Sequence, residues 1–252
     1  MNDMKKIIFF IAVLGFCFSV SVQAQQKAKE IYEWRIYTVT GDNGAELDKY
    51  FGGTLIPALN RQGAKVGAFT FTKDEIEYRY LLLVFPDVNT WHKSKSAIWN
   101  DKTFRDAAQP FFDATAPKPM YRDFETFVCE AFDKIPQMRT PVANSTIYEF
   151  RIYHSPNEEA NQRKIKMFNV DEIDAFDKVG VNSVCYGEIF AGTRMPALIY
   201  LTSYTNETAR KEAWANFEKH PDWQRMRVLK EYANTATRNE SRLLKPMTYS
   251  QF

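Results

Sequence analysis

Two heptapeptides carry the charged residues best placed to do chemistry in this chain. Residues 31–37 read IYEWRIY and residues 147–153 read IYEFRIY, differing at one position where one aromatic replaces another. Each sets a glutamate two residues before an arginine, Glu33 with Arg35 and Glu149 with Arg151. Tyr37 or Tyr153 follows, and in the second case His154. Side chains alternate faces along a strand, so in extended backbone Glu, Arg and Tyr share a face. An arginine beside a carboxylate can grip it through two N–H donors. Two readings fit. In one, each pair is a structural ion pair that offsets its own burial. In the other, Arg35 and Arg151 bind an anionic group in a polar cavity, with Tyr37, Tyr153 and His154 beside it. Glu33 or Glu149 then serves as a base if burial raises its pKa.

Other constellations are weaker. His92, His154 and His220 fall in different stretches without metal-ligand spacing, so no metal site is expected. His220 precedes Pro221 and reads as a capping or surface residue at a helix break. Haem ligation by His220 or His92 is the outlying reading. No glycine-rich phosphate loop follows the first strand of either copy, and there is no Gly-x-Ser-x-Gly elbow. No cofactor is therefore expected. A net charge of +2 and the lack of a basic stripe argue against a nucleic-acid partner. Aromatic residues at 15% are enough for a large core or a lined cavity.

The elements that must hold the heptapeptides repeat with them. GDNGAELDKYFGGTLIPALNRQG has Leu47, Tyr50, Phe51, Leu55 and Leu59 at helical spacing. Gly52, Gly53 and Pro57 should kink that helix, and Gly63 should end it. Its counterpart, NEEANQRKIKMFNVDEIDAFDKVG, has Ile165, Phe168, Ile173, Phe176 and Val179, then Gly180, and its last ten letters align with TLIPALNRQG without a gap. Two strands follow in each copy, KVGAFTFT with YRYLLLVF and NSVCYGEIF with PALIYLTSY. Helical stretches come next, with Asn89 and Asn206 as expected N-caps and Pro221 dividing the second. FETFVCEAF and SRLLKPMTYS close the two copies as strands.

Each copy is therefore βαββαβ. The expected fold is α+β, with two tandem ferredoxin-like domains over residues 27–135 and 146–252. A proline-bearing linker over 136–145 joins them, and they pack as an intramolecular dimeric α/β barrel. The Trp34 and Phe150 faces are expected under the helices. The Glu33–Arg35 and Glu149–Arg151 faces are expected inside the barrel. Strand edges left over would allow a homo-oligomer.

The N-terminus is a separate segment. Lys5 and Lys6 precede the apolar run IIFFIAVLGFCF, and Val22 and Ala24 stand at the small-residue positions before a cut. This is the pattern of a signal peptide over residues 1–24. Export to the periplasm or the cell exterior is expected, with no membrane attachment after cleavage. Cys129 and Cys185 then remain. The leading reading is two buried free thiols. A disulfide across the closing edges of the barrel is the alternative.

The repeated IYEWRIY and IYEFRIY resemble the opening strand of the NIPSNAP family. TLIPALNRQG resembles its first-helix ending, HPDWQRM its second-helix region and RLLKPMTYS its closing strand. The resemblance spans nearly all of the chain after residue 24 and is closer in the second copy, since FETFVCEAF departs from the pattern. It implies a dimeric α/β barrel. It implies no particular reaction, although related barrels include cofactor-free monooxygenases, dehydratases and haem enzymes. The expected function is an exported protein that binds a small organic, anionic or aromatic molecule in the barrel interior. The alternative is a non-catalytic interaction module with a filled barrel.

Overall fold

The structure, a computed structural model, describes residues 28–112 and 119–252. The expected signal peptide over 1–24 lies outside the described residues. The first half runs β1 (Ile31–Val39), α1 (Gly44–Tyr50), α2 (Ile56–Arg61), β2 (Lys65–Lys73), β3 (Ile76–Phe85), α3 (Val88–Asn100), α4 (Lys102–Ala108) and β4 (Tyr121–Ala131). The second runs β5 (Ile147–His154), α5 (Glu158–Met167), α6 (Ile173–Val179), β6 (Asn182–Ala191), β7 (Ala197–Tyr204), α7 (Glu207–Lys219), α8 (Pro221–Met226) and β8 (Arg238–Pro246). The strands close in the order β1-β3-β2-β8-β5-β7-β6-β4, all antiparallel. This is the expected pair of βαββαβ sheets joined into one barrel. Every strand has two neighbours, so the sheet closes on itself.

The two seams differ. β4 meets β6 over Val128–Ala131. β2 meets β8 only at Phe69 with Pro246 and Thr70 with Lys245. The C-terminal tail extends that short seam: Met247 N–H donates to the Ala68 carbonyl, and Val66 N–H donates to Gln251 Oε1 at 2.6 Å. The Phe252 ring lies over Gly67, where a β-carbon would come within 2.4 Å of it.

The strand faces are the reverse of the expectation. Trp34 and Phe150 meet each other at 4.7 Å inside the barrel, with Phe69 against Tyr148 and Tyr80 against Phe150. Glu33, Arg35, Glu149 and Arg151 face outward, under the helices. The physical reason is the supply of partners. The middle of a small closed barrel holds only strand side chains and excludes water, so charge there is costly. Beneath a helix, the helix's own polar side chains can reach a buried carboxylate. The ligand site expected in the centre of the barrel is therefore not there, because aromatic rings fill that space.

The helices follow sequence signals with two differences. Asp87, not Asn89, caps α3 by accepting from Thr90 N–H, whereas Asn206 caps α7 as expected. Asp87 lies in extended backbone just before the first turn, where an N-cap must sit. The kink expected at Gly52, Gly53 and Pro57 is one turn of π-helix, Phe51–Leu55. The same π turn occurs at Phe168–Glu172, which contains no glycine or proline, so the device belongs to the fold rather than to those residues. Gly63 and Gly180 end their helices at φ +87° and +83°.

Cys129 and Cys185 are free and buried in the barrel core. Their strands do pair at the β4–β6 seam, but Cys129 stands opposite Ile189. The two thiols are not bonded to each other, in contrast to the disulfide alternative. Burial pushes both well above the usual thiol range.

Candidate ligand site

Each half holds a cavity between its sheet and its helices, floored by its own Glu-x-Arg. In the first half, Glu33 Oε1 accepts from Arg35 Nε at 2.7 Å. Oε2 accepts from Trp91 Nε1 at 2.8 Å and from Lys95 Nζ, both on α3. Burial pushes the Glu33 carboxyl up, but Arg35 and Lys95 outweigh it and hold it below the usual range. The surrounding cavity, about 320 Å³, is walled by Leu55, Leu59, Ile98, Phe104 and other apolar groups. A carboxylate that takes three donors, with its arginine at short range, is a completed ion-pair network.

The second half has the same floor with a different outcome. Glu149 Oε2 accepts from Trp214 Nε1 at 2.7 Å and Arg210 Nη1 at 3.2 Å, both on α7, and Oε1 accepts from Ser241 Oγ at 2.8 Å. Ser241 is opposite Arg151 across the β5–β8 ladder. Glu149 is thus satisfied by other donors, and Arg151 approaches it no closer than 3.5 Å. The Arg151 guanidinium stacks over Trp214 at 4.5 Å, and its Nε is buried without a hydrogen-bond partner. An orphaned buried N–H of a charged group costs roughly 1–3 kcal/mol or more.

The Arg151 side chain lines a cavity of about 580 Å³, together with Tyr153, Lys164, Glu172, Arg210, Trp223 and Arg227. Lys164 Nζ donates to Glu172 at 2.8 Å, and both side chains are under a tenth exposed. Tyr153 and Tyr200 share a hydrogen bond at 2.8 Å, and burial pushes the Tyr153 phenol up to about 12. The arrangement can hold an anion on Arg151, stack a planar group against Trp214 and offer both donor and acceptor through the Lys164–Glu172 pair.

Equivalent positions show how one framework gave two environments. Four and eight residues after their N-caps, α3 carries Trp91 and Lys95 where α7 carries Arg210 and Trp214. Each helix supplies one indole and one cation to its glutamate, with the two places exchanged. Four residues either side of Phe51 stand Leu47 and Leu55, and four either side of Phe168 stand Lys164 and Glu172. The second cavity is polar where the first is greasy.

The structure therefore splits the expected site. Glu33, Arg35 and Tyr37 line the first cavity, and Glu149, Arg151 and Tyr153 the second. The two arginines do not converge on one anion. His154 belongs to neither cavity. One residue past Tyr153 it turns to the opposite face, where Nε2 meets Glu240 at 2.9 Å and Nδ1 meets the Arg194 carbonyl. His220 caps α8 by accepting from Asp222 N–H. The heptapeptides alone did not reveal Lys164, Glu172, Arg210, Trp214 or Ser241. One signal was legible: the ungapped alignment sets Glu172 against Leu55, a carboxylate within an apolar stripe.

Comparison with known proteins bears on the fold. The NIPSNAP family model matches residues 148–251. Among solved structures, a "putative monooxygenase" from Lactobacillus acidophilus NCFM covers 86% of this chain and 94% of its own, at 10% identity and TM-score 0.58. One described in the same words from Fusobacterium nucleatum subsp. nucleatum covers 87% and 93%, at 11% identity and TM-score 0.55. An uncharacterized NIPSNAP-like domain protein from Burkholderia xenovorans covers 43% and 91%, at 23% identity and TM-score 0.39. At these identities the first two share the fold alone. No curated protein matches the sequence.

Proposed function

We propose, from the premise that the second half of this chain is a NIPSNAP domain, that the protein binds a small organic anion in the cavity of that half. The observation that carries this reading is the Arg151 Nε, charged, buried and without a partner beside about 580 Å³ of space. A carboxylate in this cavity can pair with the Arg151 guanidinium, which shares the single carboxylate of Glu149 with Arg210. Trp214 and Trp223 favour an aromatic or planar body on the anion. The first half, with its completed Glu33–Arg35–Lys95 network, serves as a structural counterpart that closes the barrel. No reaction is carried over from the two structural neighbours, because a shared fold does not transfer chemistry.

The address is proposed from sequence: residues 1–24 direct export, and the protein works in the periplasm or outside the cell. Mass spectrometry of the protein from its producing cell would detect a mature chain beginning at Gln25; an intact N-terminus would reject this.

Binding can be read at one indole per half. Benzoate titrated into ¹⁵N-labelled protein should shift the Trp214 indole N–H saturably and leave that of Trp91 in place. Arg151→Ala should weaken the Trp214 response at least about tenfold, the loss of one charge-assisted contact. A Trp214 signal that stays still, or one that responds equally without Arg151, would overturn the proposal.

A further inference from the structure

The barrel has two unlike ends. At the end where β1 and β5 begin, the Phe252 ring packs into the gap left by Gly67 and joins the interior core. At the other end no comparable plug is present among the described residues. There Ile36, Thr38, Phe71, Tyr78 and Tyr80 surround a cavity of about 370 Å³ that opens at the rim. Its floor is Tyr80, edge-on to Phe150 at 5.5 Å.

The rim is unevenly charged. Lys73, Arg122, Arg194 and Arg242 line the cavity against Asp123 and Glu125. Asp123 is already engaged by Thr38 and Arg122 at 2.9 and 2.8 Å. Behind the lining, Glu240 is shared by Arg242 at 2.8 Å, Arg194 at 3.5 Å, His154 at 2.9 Å and Arg238. One carboxylate has only two oxygens and cannot saturate three guanidinium groups. Arg242 and Arg194 line the cavity while sharing that one carboxylate with Arg238 and His154.

The pseudo-twofold makes the contrast specific. Arg242 pairs with Phe150 across β5–β8, and the equivalent partner of Trp34 across β1–β4 is Phe127. One half thus places a guanidinium at a depth where the other places a ring. A half-buried cation at that depth favours an anionic partner.

We infer that this open end of the barrel is a second binding site, separate from the cavity beneath the helices, which takes an aromatic carboxylate. The ring enters between Tyr78, Tyr80, Phe71 and Ile36. The carboxylate stays at the rim on Arg242 and Arg194. The inference does not depend on the proposed site around Arg151.

The test uses the full chain carrying Arg151→Ala, so that the cavity in the second half is disabled, with 2-naphthoate as probe and the Ile36 and Thr38 methyl resonances as readout. Naphthoate should shift both methyls saturably. Its neutral isostere 2-naphthamide should bind at least about tenfold more weakly, since it lacks the charge that the two arginines hold. Adding Arg242→Met should weaken naphthoate about tenfold. Adding Arg194→Met, at an exposed side chain, should weaken it severalfold. Unmoved methyls, equal affinity for the amide, or full affinity in the Arg194→Met protein would overturn the inference.

Discussion

In the first half Arg35 sits 2.7 Å from Glu33, and the cavity above them is walled by leucine, isoleucine and phenylalanine. In the second half Arg210, Trp214 and Ser241 have taken the glutamate, and Arg151 stands 3.5 Å away with an N–H unused. Both halves kept Glu-x-Arg-x-Tyr. What differs is the donor on the other carboxylate oxygen, Arg35 in the first half and Ser241 of β8 in the second. The comparison teaches that a repeated charged motif need not repeat its role. Partners supplied from other elements decide whether an arginine is structure or is left for a ligand.

The largest effect that would break the comparison lies in the Lys164–Glu172 pair, where the first half has Leu47 and Leu55. Glu172→Leu alone strands a buried ammonium and should cost about 3–5 kcal/mol in urea unfolding. Lys164→Leu with Glu172→Leu together restores the apolar arrangement of the first half and should recover most of that loss. A double variant as unstable as the single would mean that the two halves are not interchangeable at these positions.

Next come the arginines. Arg35→Met removes a short charge-assisted bond from a carboxylate buried with few alternatives, and should cost about 2 kcal/mol. Arg151→Met leaves Glu149 with its three other donors and should cost about 1 kcal/mol or less, mostly lost stacking on Trp214. Equal losses would show that Arg151 is as structural as Arg35.

The exchange of indole and cation on the helices gives a smaller effect. Trp91→Arg and Lys95→Trp each disturb the Glu33 network. Made together they recreate the order found on α7, so the pair should cost about 1 kcal/mol less than the sum of the singles.

The smallest is a difference in acid sensitivity. The folded Glu33 carboxyl titrates below its unfolded value, so the unfolded chain takes up that proton first as pH falls. The stability it contributes is present above about pH 4.3, the unfolded value, and fades as pH drops through the folded one. Glu33→Gln should therefore flatten the acid limb of a stability–pH curve below about pH 4 and leave its slope above pH 5 unchanged.

Much of the architecture was legible in sequence because it rests on local signals: alternation in the strands, Gly63 and Gly180 at helix ends, Pro221 at a break, and a heptapeptide written twice. The facing of the strands was not. Both faces of β1 and β5 carry aromatic and aliphatic residues, and alternation says which residues share a face without saying which face is inside. The decision rests on Trp91, Lys95, Arg210 and Trp214, which lie some sixty residues away and meet the glutamates only after the helices fold back. Candidate residues were identified to the same degree. The glutamates, arginines and tyrosines do line cavities, but two cavities rather than one. His154 was misplaced because the strand's alternation continues one residue beyond Tyr153.

The central claim is that Arg151, and not Arg35, is held ready for an anion. Crystals grown with 4-bromobenzoate test it most directly, since anomalous scattering locates the bromine without reference to any expected pose. The account predicts a peak in the second-half cavity, over Trp214, with the carboxylate on the Arg151 guanidinium, and none in the first. A peak beside Arg35, or an empty second cavity with Arg151 drawn onto Glu149, would contradict it.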